Sequence, residues 1–312
     1  MANHRINIDD FVENVTCIAQ KVWGSESYLP MRAVKEAFNK DMTVNTKVKA
    51  FKQLIEKYKS KQVNFEKSGE LFSPYCIGYG NITSPIWFLG EAEGGQDSPE
   101  GNFYNKEVKT LNVLSEQHIL NNVFVTPDEL IKNFRIGKGR GGISCDYDNF
   151  IFASKVTLTA LGFEWNDMTP VELAKIAGVH HFFTEYWRHR APPKSLTTVV
   201  ANGNNQWDIE REKFLLDLDN TLKPKAIIAY PPINKTFNDG QNTRQKVVNL
   251  FKNTNRLIDL TGRWEKETLI NEIRTLEHDR PILLTKGPWG SQLTDEQIID
   301  IGDAIRTILY KN

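Results

Sequence analysis

Three carboxylates, Glu91, Glu93 and Asp97, stand within seven residues of one another. They follow a short apolar run, Ile86 to Leu89, and Gly90. Clustered carboxylates can take a proton from water, place that water, or offset positive charge developing on a sugar carbon. An apolar run of this length ending in glycine predicts a buried strand entering a turn. Glycine there permits positive φ or close approach of backbone to a ligand. In open α/β sheets, ligands bind beyond the carboxyl ends of the strands. Acids at a strand's exit are therefore better placed for chemistry than acids on a helix face. The competing explanation is a solvated acidic turn.

Other residues with chemical potential lie further along. Phe103 and Tyr104 follow the acids and are either core residues or a stacking platform for a base. Lys132, Arg135, Lys138 and Arg140 surround the glycines of 137–142. That loop lacks the Gly-x-x-x-x-Gly-Lys-Ser/Thr pattern of a nucleotide-phosphate loop. It suits contact with a phosphate backbone, or it is a plain surface loop. Glu185, Arg188 and Arg190 sit inside the aromatic stretch from His181 to Pro193, where charge is costly unless paired or used. Lys286 to Ser291 forms the exit of the last apolar run. The lysine-rich run from Lys57 to Lys67 is a solvated face or a phosphate contact.

The elements that must position these groups follow from periodicity. Residues 7 to about 60 show helical spacing: Ile8, Phe11, Val12, Val15, Ile18 and Ala19, then Met31 to Phe38, then Val48 to Tyr58. Helices are predicted over 151–161, 171–177, 208–222, 247–251 and 265–276, with a polar loop over 202–207. A strand is expected within 181–193, ended by Pro192 and Pro193. Others are expected over 224–230, 257–260 and 281–285. Thr294 to Gln297 is a capping box opening a terminal helix. Strands alternating with helices predict an α/β fold: a mostly parallel central sheet flanked by helices on both faces, with an N-terminal helical extension. The expected division is a helical lead-in over 1–74 and an α/β domain over 75–312.

The 312 residues are 40% hydrophobic and 25% charged, enough for one large domain or two small ones. Lys plus Arg and Asp plus Glu number 39 each, so a basic footprint for nucleic acid must be local. Cys17, Cys76 and Cys145 are too scattered for a metal-type pair or a disulfide framework. No apolar leader or membrane span is read, and a cytoplasmic protein is expected.

Three ordered segments resemble the uracil-DNA glycosylase superfamily, especially its iron–sulfur thermophilic branch. Gly90-Glu91-Ala92-Glu93-Gly94 is similar to that branch's Gly-Glu-Ala-Pro-Gly. Asp97 stands at a second family acid, and Gly101 and Phe103 stand at its Gly-x-Pro-Phe. Thr184 to Pro193 resembles the strand Thr-Asn-x-x-Lys-Cys-Arg-Pro-Pro. Leu216 to Ala229 resembles the helix and Pro-Lys-x-Ile strand that follow. Leu283 to Ser291 sits at the family's His-Pro-Ser loop. There are departures. Glu93 replaces a proline, the last loop has Lys286-Gly287-Pro288 without histidine, and His189 stands at a cluster cysteine, so no iron–sulfur cluster or other cofactor is expected.

The resemblance implies a glycosylase that flips a base from duplex DNA and hydrolyses its bond to the sugar. Glu91 would be the catalytic acid, Asp97 its substitute and Glu93 third. Phe103 and Tyr104 would stack the base. Lys138, Arg140, Lys286, Trp289 and Ser291 would contact DNA. Trp289, Gln292 or Leu293 would wedge the duplex. Glu185 falls where many members carry an asparagine that reads uracil. A carboxylate repels uracil's carbonyl there but accepts from the exocyclic amine of cytosine. The expected substrate is thus a modified cytosine, such as the glucosylated hydroxymethylcytosine of phage DNA, removed in antiphage defence. The alternative for Glu185 is an ion pair with Arg188 or Arg190. Two other functions stay open: a repair glycosylase for uracil or another deaminated base, and a non-catalytic nucleic-acid-binding module. A lyase step through Lys286 is chemically possible. A dinucleotide-binding enzyme is disfavoured, because no Gly-x-Gly-x-x-Gly follows a strand.

Overall fold

Alternation along one strand sets the architecture. In Ile86-Trp87-Phe88-Leu89 every side chain is buried, but alternate residues enter different cores. Ile86 and Phe88 belong to one apolar cluster; Trp87 and Leu89 belong to another. A strand apolar on both sides is stable only when both faces of its sheet are covered.

The structure is a computed structural model that describes residues 7–24, 28–40, 42–43, 45–67, 75, 77–92, 145–176, 178–187, 205–230, 240–251, 257–259, 280–288 and 293–310. The described elements run α1 (Ile8–Trp23), α2 (Met31–Asn39), α3 (Thr46–Lys67), β1 (Tyr79–Gly80), β2 (Ile86–Ala92), α4 (Cys145–Leu161), α5 (Pro170–Ile176), β3 (Phe182–Trp187), α6 (Asn205–Leu222), β4 (Ala226–Ala229), α7 (Thr243–Phe251), β5 (Leu257–Asp259), β6 (Ile282–Leu284) and α8 (Asp295–Tyr310). The strands form a six-stranded sheet in the order β1-β3-β2-β4-β6-β5. Every pairing is parallel except that of β1 with β3. Helices α1, α4, α5 and α8 supply the core on the Phe88 face, and α2, α3, α6 and α7 supply it on the Trp87 face. The α/β class and the mostly parallel sheet are as the periodicity predicts.

Local chemistry explains the helix ends. Asn7 caps α1 by accepting from the Asp9 N–H at 3.1 Å. The box at α8 forms as read: Thr294 N–H donates to Gln297 Oε1, and Gln297 N–H to Thr294 Oγ1. Thr169 with Glu172 and Asn242 with Gln245 build the same reciprocal bonds at α5 and α7.

Helix α4 starts at Cys145, six residues before the expected 151, and α7 at Thr243, four before the expected 247. Three further details differ from the sequence-based expectation. First, β2 does not turn at Gly90 but runs on to Ala92, because β3 continues beside it with Gly90 opposite Glu185 and Ala92 opposite Trp187. Glu91 is therefore a strand residue. Second, α6 starts at Asn205, so Trp207 belongs to a helix and not to a polar loop. Third, β1 went unread, being two residues long, one of them Gly80, and preceded by Gly78, with both glycines at positive φ. A Cβ on Gly78 would lie 2.0 Å from the Phe183 carbonyl oxygen, so only glycine lets this edge strand close on β3. The helix expected over 265–276 lies outside the described residues.

Candidate active site

The parallel strands bring their carboxyl ends to one edge of the sheet. Leu89 pairs with Ala229, and Ala229 with Leu284. The ladder goes one residue further: Tyr230 N–H donates to the Leu89 carbonyl at 3.1 Å, and Thr285 N–H to the Ala229 carbonyl at 2.9 Å. With Gly90 opposite Glu185, the residues Glu185, Gly90, Tyr230 and Thr285 form a single row across β3, β2, β4 and β6. Glu91 stands one residue beyond it. From strand spacing and rise, the Glu91 and Glu185 backbones are about 6 Å apart. The two positions alternate in the pleat.

The described helices change sides at this edge. The next described helix after β2 is α4, on the Phe88 face. The next after β3 is α6 and after β4 is α7, both on the opposite face. The first described helix after β2 and those after its neighbours β3 and β4 thus lie on opposite faces, and open sheets bind ligands where neighbouring strands change sides. Glu91 lies at the exit of that central strand.

Helices on each side add polar groups that sequence reasoning missed. On the Trp87 face, Arg211 of α6 is only 1% exposed. Its Nη2 donates to Thr184 Oγ1 at 3.3 Å, and its guanidinium lies over the Phe214 ring at 5.8 Å. Thr184 is opposite Leu89, so this cation lies beneath the row that carries Glu185. On the Phe88 face, Asn149 begins the α4 stripe continued by Phe152, Ala153 and Val156. Phe152 meets Phe88 and Tyr230 edge-on, with ring centroids 5.7 Å away in each case. Arg211 was hidden as one charge in an apparently solvated helix, and Asn149 as one polar residue before an apolar stretch.

The opposite, amino edge carries a buried polar cluster. Asn81 Nδ2 donates to the carbonyls of Leu29 and Val179 at 2.8 and 3.0 Å. Ser84 Oγ donates to the His180 carbonyl at 2.6 Å. The Tyr28 hydroxyl meets His180 Nδ1. His181 Nε2 accepts from Gly178 N–H at 3.2 Å, and its ring packs edge-on to Phe88 and Phe183. Burial pulls the His180 pKa down to about 3, and burial plus repulsion from His180 holds His181 well below the usual histidine range. Both rings are neutral at physiological pH. This cluster ties the start of β2 to the start of β3 and lies away from the acids.

The basic helix α3 is occupied by ion pairs. Lys57 Nζ is 2.6 Å from Asp217 Oδ2, Lys59 Nζ 2.7 Å from Glu56, and Lys61 Nζ 3.4 Å from Glu210. Tyr58 and Tyr75 hydroxyls donate to Asp217 and Glu210 at 2.5 and 2.8 Å. That favours the solvated, paired face over phosphate contact.

Lys286 follows Thr285 at the exit of β6 and is half-buried. Leu293 packs against the core of the Phe88 face, which leaves it unsuited to wedging a duplex. Glu93, Asp97, Phe103, Tyr104, Lys138, Arg140, Trp289, Ser291 and Gln292 lie outside the described residues, as do Arg188 and Arg190. Among the described residues no group of His, Cys, Asp and Glu side chains gathers to hold a metal ion, and no helix is long and apolar enough to cross a membrane. Comparison with protein-family models, with curated proteins and with solved structures returns no match.

Proposed function

We propose that the protein is a monofunctional DNA glycosylase of the uracil-DNA glycosylase type. It hydrolyses the N-glycosidic bond of an everted, modified cytosine and leaves an abasic site. The observation that supports the reading is the placement of Glu91 and Glu185 at alternating positions on adjacent parallel strands, at the carboxyl edge where ligands bind in open sheets. The fold type beyond a mostly parallel α/β sheet rests on the motif resemblance.

In this mechanism the C1′–N bond breaks and its electron pair leaves with the base. The sugar carbon becomes oxocarbenium-like. Glu91 offsets that charge, orients the water and takes its proton as the water oxygen bonds to C1′, with Asp97 as the substitute; the departing base anion takes up a proton from solvent. Glu185 accepts from the exocyclic amine of the base. Phe103 and Tyr104 stack the ring and return roughly 1–3 kcal/mol toward the cost of unstacking. Lys138, Arg140, Lys286, Trp289 and Ser291 hold the DNA. No cofactor is required. Removal of a modified cytosine in phage DNA would make the protein an antiphage enzyme.

The test is a panel of duplexes bearing one uracil, cytosine, hydroxymethylcytosine or glucosylated hydroxymethylcytosine, assayed for abasic sites. Release from the modified duplexes alone is expected. Release from uracil alone would select the repair reading. The exit sequence Thr285-Lys286-Gly287-Pro288, without histidine, favours the second reading, a binding module. Tight DNA binding with no abasic product would select that one.

A further inference from the structure

Among the described residues, two buried polar atoms toward the carboxyl edge have no hydrogen-bond partner: Asn149 Oδ1 and Thr285 Oγ1. Thr285 has no exposed surface. Its backbone extends the β6 ladder through the bond to the Ala229 carbonyl. Strand alternation then puts its side chain on the same face as Leu283, the face covered by α4 and α8. Tyr230, in the same row, lies in that face's core. Asn149 is one helical turn before Phe152, whose ring touches Phe88 and Tyr230. Its carboxamide therefore faces the sheet beside the row containing Gly90, Tyr230 and Thr285. Gly90 contributes no side chain to that row.

A buried amide or hydroxyl without a partner costs stability. Here the cost recurs at the Phe88-side wall of the edge that carries Glu91 and Glu185. We propose that Asn149 and Thr285 are specificity-determining residues that bind the polar edge of the everted base. The carboxamide offers both a donor and an acceptor, and the hydroxyl can serve as either. That is complementary to a heterocycle presenting an amine, a ring nitrogen and a carbonyl, as cytosine-type bases do. The inference rests on the glycosylase reading for the class of ligand, but it concerns binding and not bond cleavage.

Asn149→Leu and Thr285→Val remove the polar atoms with little change of volume. Each variant is expected to unfold in urea at the same or a higher midpoint than wild type, since an unmet polar group has been replaced by an apolar one. Each should bind 5-hydroxymethyl-2′-deoxycytidine roughly tenfold or more weakly in calorimetry, measured beside deoxycytidine, deoxyuridine and thymidine. Equal affinity in variants and wild type would overturn the proposal. So would a lower urea midpoint with affinity unchanged, which marks a structural role, or a wild type that binds none of the four nucleosides. Binding weakened in the variants, in a protein that releases no base from any duplex, would uphold this inference and remove only the catalytic reading.

Discussion

Glu91 owes its proposed role to where it stands. A carboxylate is a weak base in water, and only placement beside a reacting bond makes it useful. Glu91→Gln keeps the shape and removes the charge. It is expected to lower single-turnover base release by roughly 10²–10⁴-fold, with an unchanged urea midpoint. Glu185→Gln exchanges an acceptor for a group that can also donate to a carbonyl. Uracil release should appear or rise relative to the modified base, read from the same duplex panel. Glu185 stood out because charge is uncommon in an aromatic strand, and Glu91 because it opens a cluster of three carboxylates after an apolar run and a glycine. Asn149, Thr285 and Arg211 were not, because each is an ordinary residue locally and becomes unusual only once helix and sheet meet. The histidine pair makes a separate prediction. His180 is neutral when folded, with its pKa near 3 against 6.5 in the unfolded chain. Between those values the unfolded chain binds more protons, so its contribution is complete above pH 6.5 and is lost as pH falls toward 3. Urea unfolding should therefore give a stability about 2 kcal/mol lower at pH 5 than at pH 7 from this residue. His180→Gln should flatten that slope.

At the scale of elements, the contact between α4 and α8 fixes the wall that carries Asn149. It depends on Gly302. A Cβ there would lie 2.4 Å from Thr159 Cβ and 3.0 Å from the Val156 carbonyl oxygen. Thr159 cannot yield freely, since its hydroxyl accepts from Trp165 Nε1 at 2.9 Å and donates to the Lys155 carbonyl at 2.9 Å. Gly302→Ala should cost about 1–3 kcal/mol by overpacking, measured by chemical denaturation. An apolar stretch over 151–161 revealed α4, and the capping box located the start of α8. Their packing was not legible, because a glycine that admits a neighbour looks like any glycine in a helix. The short edge strand β1 shows the same limit, since two residues carry no period.

Across the whole molecule, the N-terminal helices share the sheet's two cores. Val15, Ala19 and Trp23 of α1 belong to the Phe88-side core. Val34 and Phe38 of α2, with Phe51, Leu54 and Tyr58 of α3, belong to the other. At about 1.5–3 kcal/mol for each large buried apolar side chain, the loss of α1 is comparable with the net stability of a typical domain. Removal of residues 1–24 should leave a chain without a cooperative urea transition, as followed by circular dichroism. The parallel sheet was legible from its alternating apolar runs and amphipathic helices. The division of helices between faces was not, because it depends on contacts between distant segments.

In the proposed mechanism Glu91 drives hydrolysis of a base-to-sugar bond. Its most direct test is single-turnover incubation of wild-type and Glu91→Gln proteins with a duplex holding one glucosylated hydroxymethylcytosine, with the freed base identified by mass spectrometry. Wild type is expected to yield a stoichiometric free base and abasic strand, and the variant almost none. Equal release by both proteins, or no release by wild type under conditions where it binds the duplex, would contradict that mechanism.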